Sequence, residues 1–140
     1  MTDPHPSETP DNKSQTTLIF SFKYAFAGLW YAFRTQRNVR IHFAIAVGVA
    51  VLGGYLELDW TQWAILALTI GFVLVAEMVN TAAEAAMDAA TPYYHPLVKI
   101  AKDVAAGAVL LASIMSVIVG LLVLGPPLWS TVVGWLSGSF

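Results

Sequence analysis

Val104 to Leu124 carries no charged side chain, and that run constrains the fold more than anything else in the sequence. The hydrocarbon core of a bilayer is about 30 Å thick and takes around 20 apolar residues of helix to cross. Such a segment has to satisfy its own backbone hydrogen bonds, which makes it a helix. Two further runs share its character: Ile41 to Leu58, free of charge before Glu57, and Trp60 to Ala76. Composition agrees, with 57% apolar residues, 11% charged and a mean hydropathy of +0.66. Soluble domains carry roughly 25% charged residues. An all-α membrane protein with one domain is therefore expected from these 140 residues. The net charge of −2 gives no nucleic-acid footprint. The absence of cysteine excludes disulfides, zinc–thiolate sites and thiol catalysis. The polar first residues are not those expected of a secretory signal.

In chain order, residues 1–16 are rich in proline and polar side chains and are expected to be a disordered tail. Over about 18–36, Phe22, Phe26, Leu29 and Phe33 recur at helical spacing, with Lys23 and Arg34 toward the other side. That pattern predicts an amphipathic helix lying in the lipid interface, with Tyr24, Trp30 and Tyr31 at headgroup depth. Three spans follow, at about 39–58, 60–90 and 98–124, within a membrane domain of residues 17–127. Gly48, Gly53 and Gly54 predict close helix contacts, as does Ala105-Ala106-Gly107-Ala108 against the alanine-rich end of the second span. Glu57, Asp59, Trp60 and Gln62 form a tight turn between the first two spans. Thr91-Pro92 stops the second, and Gly125-Pro126-Pro127 ends the third, leaving 128–140 as an apolar interfacial tail. In the spanning region, Lys and Arg lie before the first span and between the second and third. The positive-inside rule then puts the N-terminus and the Glu77–Asp103 region in the cytoplasm and the C-terminus outside.

The chemistry is concentrated where the second apolar run ends. Glu77, Asn80, Glu84 and Asp88 fall at i, i+3, i+7 and i+11, which at about 100° per residue is one narrow arc of a helix. Carboxylates carried into a membrane segment are costly, and such groups face a site, a metal or a counter-charge. At the cytoplasmic face they suit phosphoryl transfer. That reaction needs a divalent cation on the phosphates, a cationic side chain beside them and a group to take the proton from the attacking hydroxyl. Glu84 and Asp88 are spaced for metal or nucleotide contact, and Lys102 for a phosphate. Glu77 is the deepest, and a carboxylate short of water is a strong proton acceptor, as a base for a lipid alcohol must be. The competing reading is that these acids only pair with Lys99 and Lys102 to tie helices together. No GxxxxGK[ST] loop is present, so this is not a P-loop enzyme.

Glu77-Met-Val-Asn80-Thr-Ala-Ala-Glu84-Ala-Ala-Met-Asp88, followed by Lys102-Asp103-Val-Ala-Ala-Gly107-Ala-Val, strongly resembles the bacterial membrane-integral diacylglycerol and undecaprenol kinase family. Ser21-Phe-Lys-Tyr-Ala-Phe-Ala-Gly28-Leu and Arg37-Asn38-Val-Arg40-Ile-His42 are similar to the N-terminal signature of its undecaprenol-kinase branch. The resemblance covers roughly Leu18 to Leu124. It implies a homotrimer in the bacterial inner membrane, each protomer with a surface helix and three spans, and active sites shared between neighbouring chains. It implies Mg²⁺ as cofactor, ATP as co-substrate and a membrane lipid alcohol as acceptor. By resemblance Glu77 is the general base, Glu84 binds Mg²⁺ and ATP, and Asn80 and Asp88 support the site. Lys102, Asp103, Tyr93, Tyr94, His95 and Tyr24 contact the nucleotide. One position departs: where the family usually has a second metal-binding glutamate after the surface helix, this chain has Gln36, a neutral and weaker ligand.

The reading from sequence is thus an ATP-dependent lipid kinase acting on undecaprenol, with diacylglycerol as the alternative acceptor. A catalytically weak scaffold of the same fold is a further alternative. A small transporter using the acids as a proton relay is disfavoured by their interfacial position.

Overall fold

The computed structural model describes residues 10–91 and 93–138, with side chains described from Phe20 onward. Four helices run in order: α1 Pro10–Thr35, α2 Arg37–Tyr55, α3 Trp60–Ala90 and α4 Pro96–Ser137. No strand occurs among the described residues. The chain forms two units, divided after Thr35.

In the first unit, α1 begins earlier than the sequence predicts. Residues 1–9 of the expected disordered tail lie outside the described residues, but 10–16 are helical. Pro10 explains the start, because its fixed φ and missing N–H suit the first helical position. Farther along, Trp30 and Phe33 stack at 6.4 Å and the Arg34 guanidinium lies 5.8 Å from the Trp30 ring centroid. Phe22, Tyr24, Phe26 and Trp30 are all exposed.

The second unit is built on α3, against which both α2 and α4 pack. All three helices are long and apolar enough to cross a membrane. Their apolar side chains remain largely exposed, Leu68, Phe72, Leu121 and Leu122 among them. That is the surface of a protein whose solvent is lipid. The small core joins Leu58, Leu66 and Val123, with Trp63 and Val119 packed on it.

The α2–α3 turn is tightly determined. Leu58 N–H donates to Gly53 O at 3.2 Å and Glu57 N–H to Gly54 O at 3.4 Å, the two bonds of a Schellman cap. Such a cap needs a left-handed residue, and Glu57 takes that place with φ 53°. Asp59 then opens α3 through a complete capping box: its carboxylate accepts from Gln62 N–H at 2.9 Å while Asp59 N–H donates to Gln62 Oε1 at 3.0 Å.

Two expectations are corrected. Of the glycines expected to bring helices together, only Gly53 does so within the protomer. A Cβ there would lie 3.0 Å from both Leu58 Cδ1 and Trp63 Cη2, whereas Gly48, Gly54 and Gly107 have nothing within 4 Å. Nor do Pro126 and Pro127 end the helix; α4 continues to Ser137. In an apolar setting the backbone gains more from staying hydrogen-bonded than from ending at a proline. The Ser130 and Thr131 hydroxyls also donate to Pro127 O at 2.8 and 2.9 Å, securing the turn beyond the pair. At the other boundary α3 stops at Ala90, with Thr91 extended at φ −154°, ψ 127°. That is the conformation a following proline imposes; Pro92 itself lies outside the described residues.

Candidate active site on the polar end of α3

The last four turns of α3 carry the acids along a gradient of exposure. Glu77 is 2% exposed, Asn80 and Glu84 are half-buried and Asp88 is exposed. The predicted stripe exists, and Asn80 Nδ2–H donates to Glu84 Oε1 at 3.1 Å along it. That bond settles which way the amide points, leaving Asn80 Oδ1 buried with no hydrogen-bond partner. Glu77 Oε1 is likewise buried without one. Two acceptors short of a donor, one turn apart, are unusual in a folded interior, where nearly all buried polar atoms are satisfied. Thr81, also buried, offers no help, since its hydroxyl donates to Glu77 O of its own helix at 2.9 Å.

Across from Glu77, on α2, stands His42. Its Nε2 is 3.2 Å from Glu77 Oε1, an ion-pair distance without a formed hydrogen bond. In the sequence His42 stands only within the Arg37-Asn38-Val-Arg40-Ile-His42 signature, with no role implied. The signal is its place, for beyond the Arg37–Arg40 collar it is the one basic side chain in the apolar run Ile41 to Leu58, and ionisable groups at such depth are rare. His42 also heads an apolar groove of about 340 Å³ between α2, α3 and α4. His42 and Leu74 mark one end of the groove, and Leu52, Leu66 and Leu128 the other, with Thr69 and Ser116 its only other polar side chains.

The remaining predicted residues separate into groups. Lys102 Nζ pairs with Asp88 Oδ1, joining α4 to α3, and Lys99 pairs with Asp103 along α4 itself. For Lys102 and Asp88 the helix-tying reading describes the contact seen, whereas Lys99 and Asp103 pair within one helix. Tyr93 and Tyr94 are exposed at 81% and 79%. His95 caps α4, its Nδ1 accepting from Leu97 N–H at 3.3 Å. Gln36 is half-buried at the N-cap of α2 and its side chain makes no capping bond. Tyr24 belongs to the first unit and is exposed.

Among the described residues no three His, Cys, Asp or Glu converge as a metal cage. A magnesium ion does not require one, since it is held by one or two carboxylates with substrate phosphates and water completing the shell. Glu84, half-buried and oriented by Asn80, fits that donor set.

Comparison with known proteins agrees with the geometry. Residues 23–124 match the family described as prokaryotic diacylglycerol kinase. A diacylglycerol kinase from Synechocystis is 51% identical over 117 residues, covering 83% of this chain and 67% of that protein. The undecaprenol kinase of Bacillus subtilis is 40% identical over 122 residues, covering 86% of this chain and 99% of that protein. The diacylglycerol kinase of Escherichia coli K12 is 30% identical over 103 residues, 74% of this chain and 84% of that one. With three helices long and apolar enough to cross a membrane, and a buried acid 3.2 Å from the histidine that lines an apolar groove, the chain belongs to the prokaryotic diacylglycerol kinase family and is a membrane lipid kinase, a phosphotransferase with an alcohol acceptor.

Proposed function

We propose that the chain transfers the γ-phosphate of ATP to the hydroxyl of undecaprenol, with Glu77 as general base. One observation carries the mechanism: a carboxylate 2% exposed, one oxygen lacking a hydrogen bond, beside the head of an apolar groove. A long apolar tail lying along that groove brings its terminal hydroxyl to Glu77. The carboxylate takes the hydroxyl proton as the oxygen bonds to the γ-phosphorus. The bond from that phosphorus to the β–γ bridging oxygen breaks, and ADP leaves. Asn80 Oδ1, the second unsatisfied acceptor, receives the hydroxyl while it waits. Glu84 would hold Mg²⁺, which when bound would supply charge neutralisation on the phosphates. Lys102 and Asp103 meet the nucleotide, and the exposed Tyr93-Tyr94-His95 loop contacts it as well. Gln36 adds only a neutral ligand.

Undecaprenol is favoured by the Arg37-Asn38-Val-Arg40-Ile-His42 signature and by similarity along 99% of the length of an undecaprenol kinase. Diacylglycerol is the second reading, favoured by the 51% identity to a protein of that name. The protein works as a homotrimer in the bacterial inner membrane, with its N-terminus and polar end cytoplasmic. The test is the purified full chain in detergent micelles with Mg-ATP, offered undecaprenol and diacylglycerol side by side. One phosphorylated undecaprenol per ADP is expected, and preference for diacylglycerol moves the assignment to the second reading. Phosphorylation of neither lipid leaves only a scaffold.

A further inference from the structure

We infer that His42 is a positioning residue for Glu77, holding Oε1 so that the carboxylate stays aimed at the alcohol. The inference rests on Glu77 acting as the base. An ionised carboxylate buried without a partner costs several kcal/mol, and Glu77 is buried. The lysines of this end are engaged elsewhere, Lys102 with Asp88 and Lys99 with Asp103. On its own helix Glu77 is followed by Asn80, which is committed to Glu84. From α2 the group that reaches it is His42 Nε2, at 3.2 Å.

The placement also explains why the contact crosses between helices. A glutamate side chain turns about three bonds, and a partner on its own helix would move with it. His42 is fixed to a different span, and its imidazole also lines the groove. It therefore ties the base to the space the lipid occupies. A misplacement of about 1 Å in a reacting group is enough to cost roughly 100-fold in rate.

The experiment compares variants of the full chain in micelles, scored for kcat and for KM toward ATP and lipid. His42→Leu keeps an apolar volume in the groove and removes the polar contact; kcat is expected to fall about 100-fold with KM for ATP unchanged. His42→Gln puts an amide N–H near the place of Nε2 and is expected to recover most of the loss. Rescue of that kind is not expected of a residue that only fills space. In a Glu77→Gln background, His42→Leu is expected to add nothing, because the two act as a unit. Should His42→Leu fail to fold, His42→Asn, whose shorter amide falls short of Oε1, takes its place with the same expected loss. Wild-type kcat in the His42 variants beside a dead Glu77→Gln overturns the positioning role and leaves the base intact. A loss confined to KM for ATP overturns it too. Full turnover in Glu77→Gln removes the base itself, and the inference with it.

Discussion

The two ends of α3 are built on opposite terms. At the Trp60 end the backbone is closed on both sides: the Schellman cap closes α2, the capping box opens α3, and Leu58 and Trp63 fill the space that Gly53 leaves. Toward the Ala90 end two buried acceptors, Glu77 Oε1 and Asn80 Oδ1, form no hydrogen bond, the first approached by His42 Nε2 at 3.2 Å, and Tyr93 and Tyr94 are exposed. The contrast is a division of labour along one helix. The finished end holds three helices together, and the other leaves hydrogen-bonding capacity unused, where the proposed function puts the substrate.

Mutations at the two ends should therefore separate activity from stability. The largest effect is expected from Glu77→Gln, which removes a proton acceptor worth about 100- to 10,000-fold in rate. Lipid-dependent ADP release should fall by that much with the thermal midpoint in detergent little changed; unaltered release would deny Glu77 its role. Next comes Gly53→Val at the opposite end, where a Cβ already meets Leu58 and Trp63 at 3.0 Å. Overpacking of that kind costs about 1–3 kcal/mol. Thermal unfolding should come earlier while activity per folded molecule holds, and a loss of specific activity would erase the division. Asp59→Ala, which removes the capping box, is expected to cost about 1 kcal/mol by the same measurement, again with turnover preserved. The smallest change is expected from Gln36→Glu, which adds a carboxylate where the resemblance places a metal ligand. A Mg²⁺ titration of turnover should shift to lower concentration, and an unmoved titration would separate Gln36 from the metal.

What the sequence disclosed follows from which forces act locally. The three spans were legible because runs free of charge admit little else in a bilayer. The acid stripe was legible because the helical period fixes which side chains share a face, and the Asn80–Glu84 bond is that period made visible. His42 against Glu77 was not legible, because it depends on how α2 is rotated about its own axis against α3. The period of one helix does not encode that rotation. The same ignorance credited Gly48, Gly54 and Gly107 with contacts that only Gly53 makes. The run of α4 past Pro126 and Pro127 was missed for a different reason. Proline ends helices readily where water can take over the freed carbonyls, and that exchange fails in an apolar setting.

That uninterrupted α4 has a mechanical consequence. Its 42 residues extend about 63 Å at 1.5 Å each, roughly twice the oily thickness of a bilayer. Pro126 and Pro127 supply no N–H for the carbonyls of Leu122 and Val123, so two rungs are missing from the ladder at one height. The rod is softest there, and the stretch bearing Trp129 and Trp135 can lean with the membrane surface. The leverage dies out at the soft joint, far along α4 from the turns that face the acids of α3, so the tail can follow its surroundings without disturbing them.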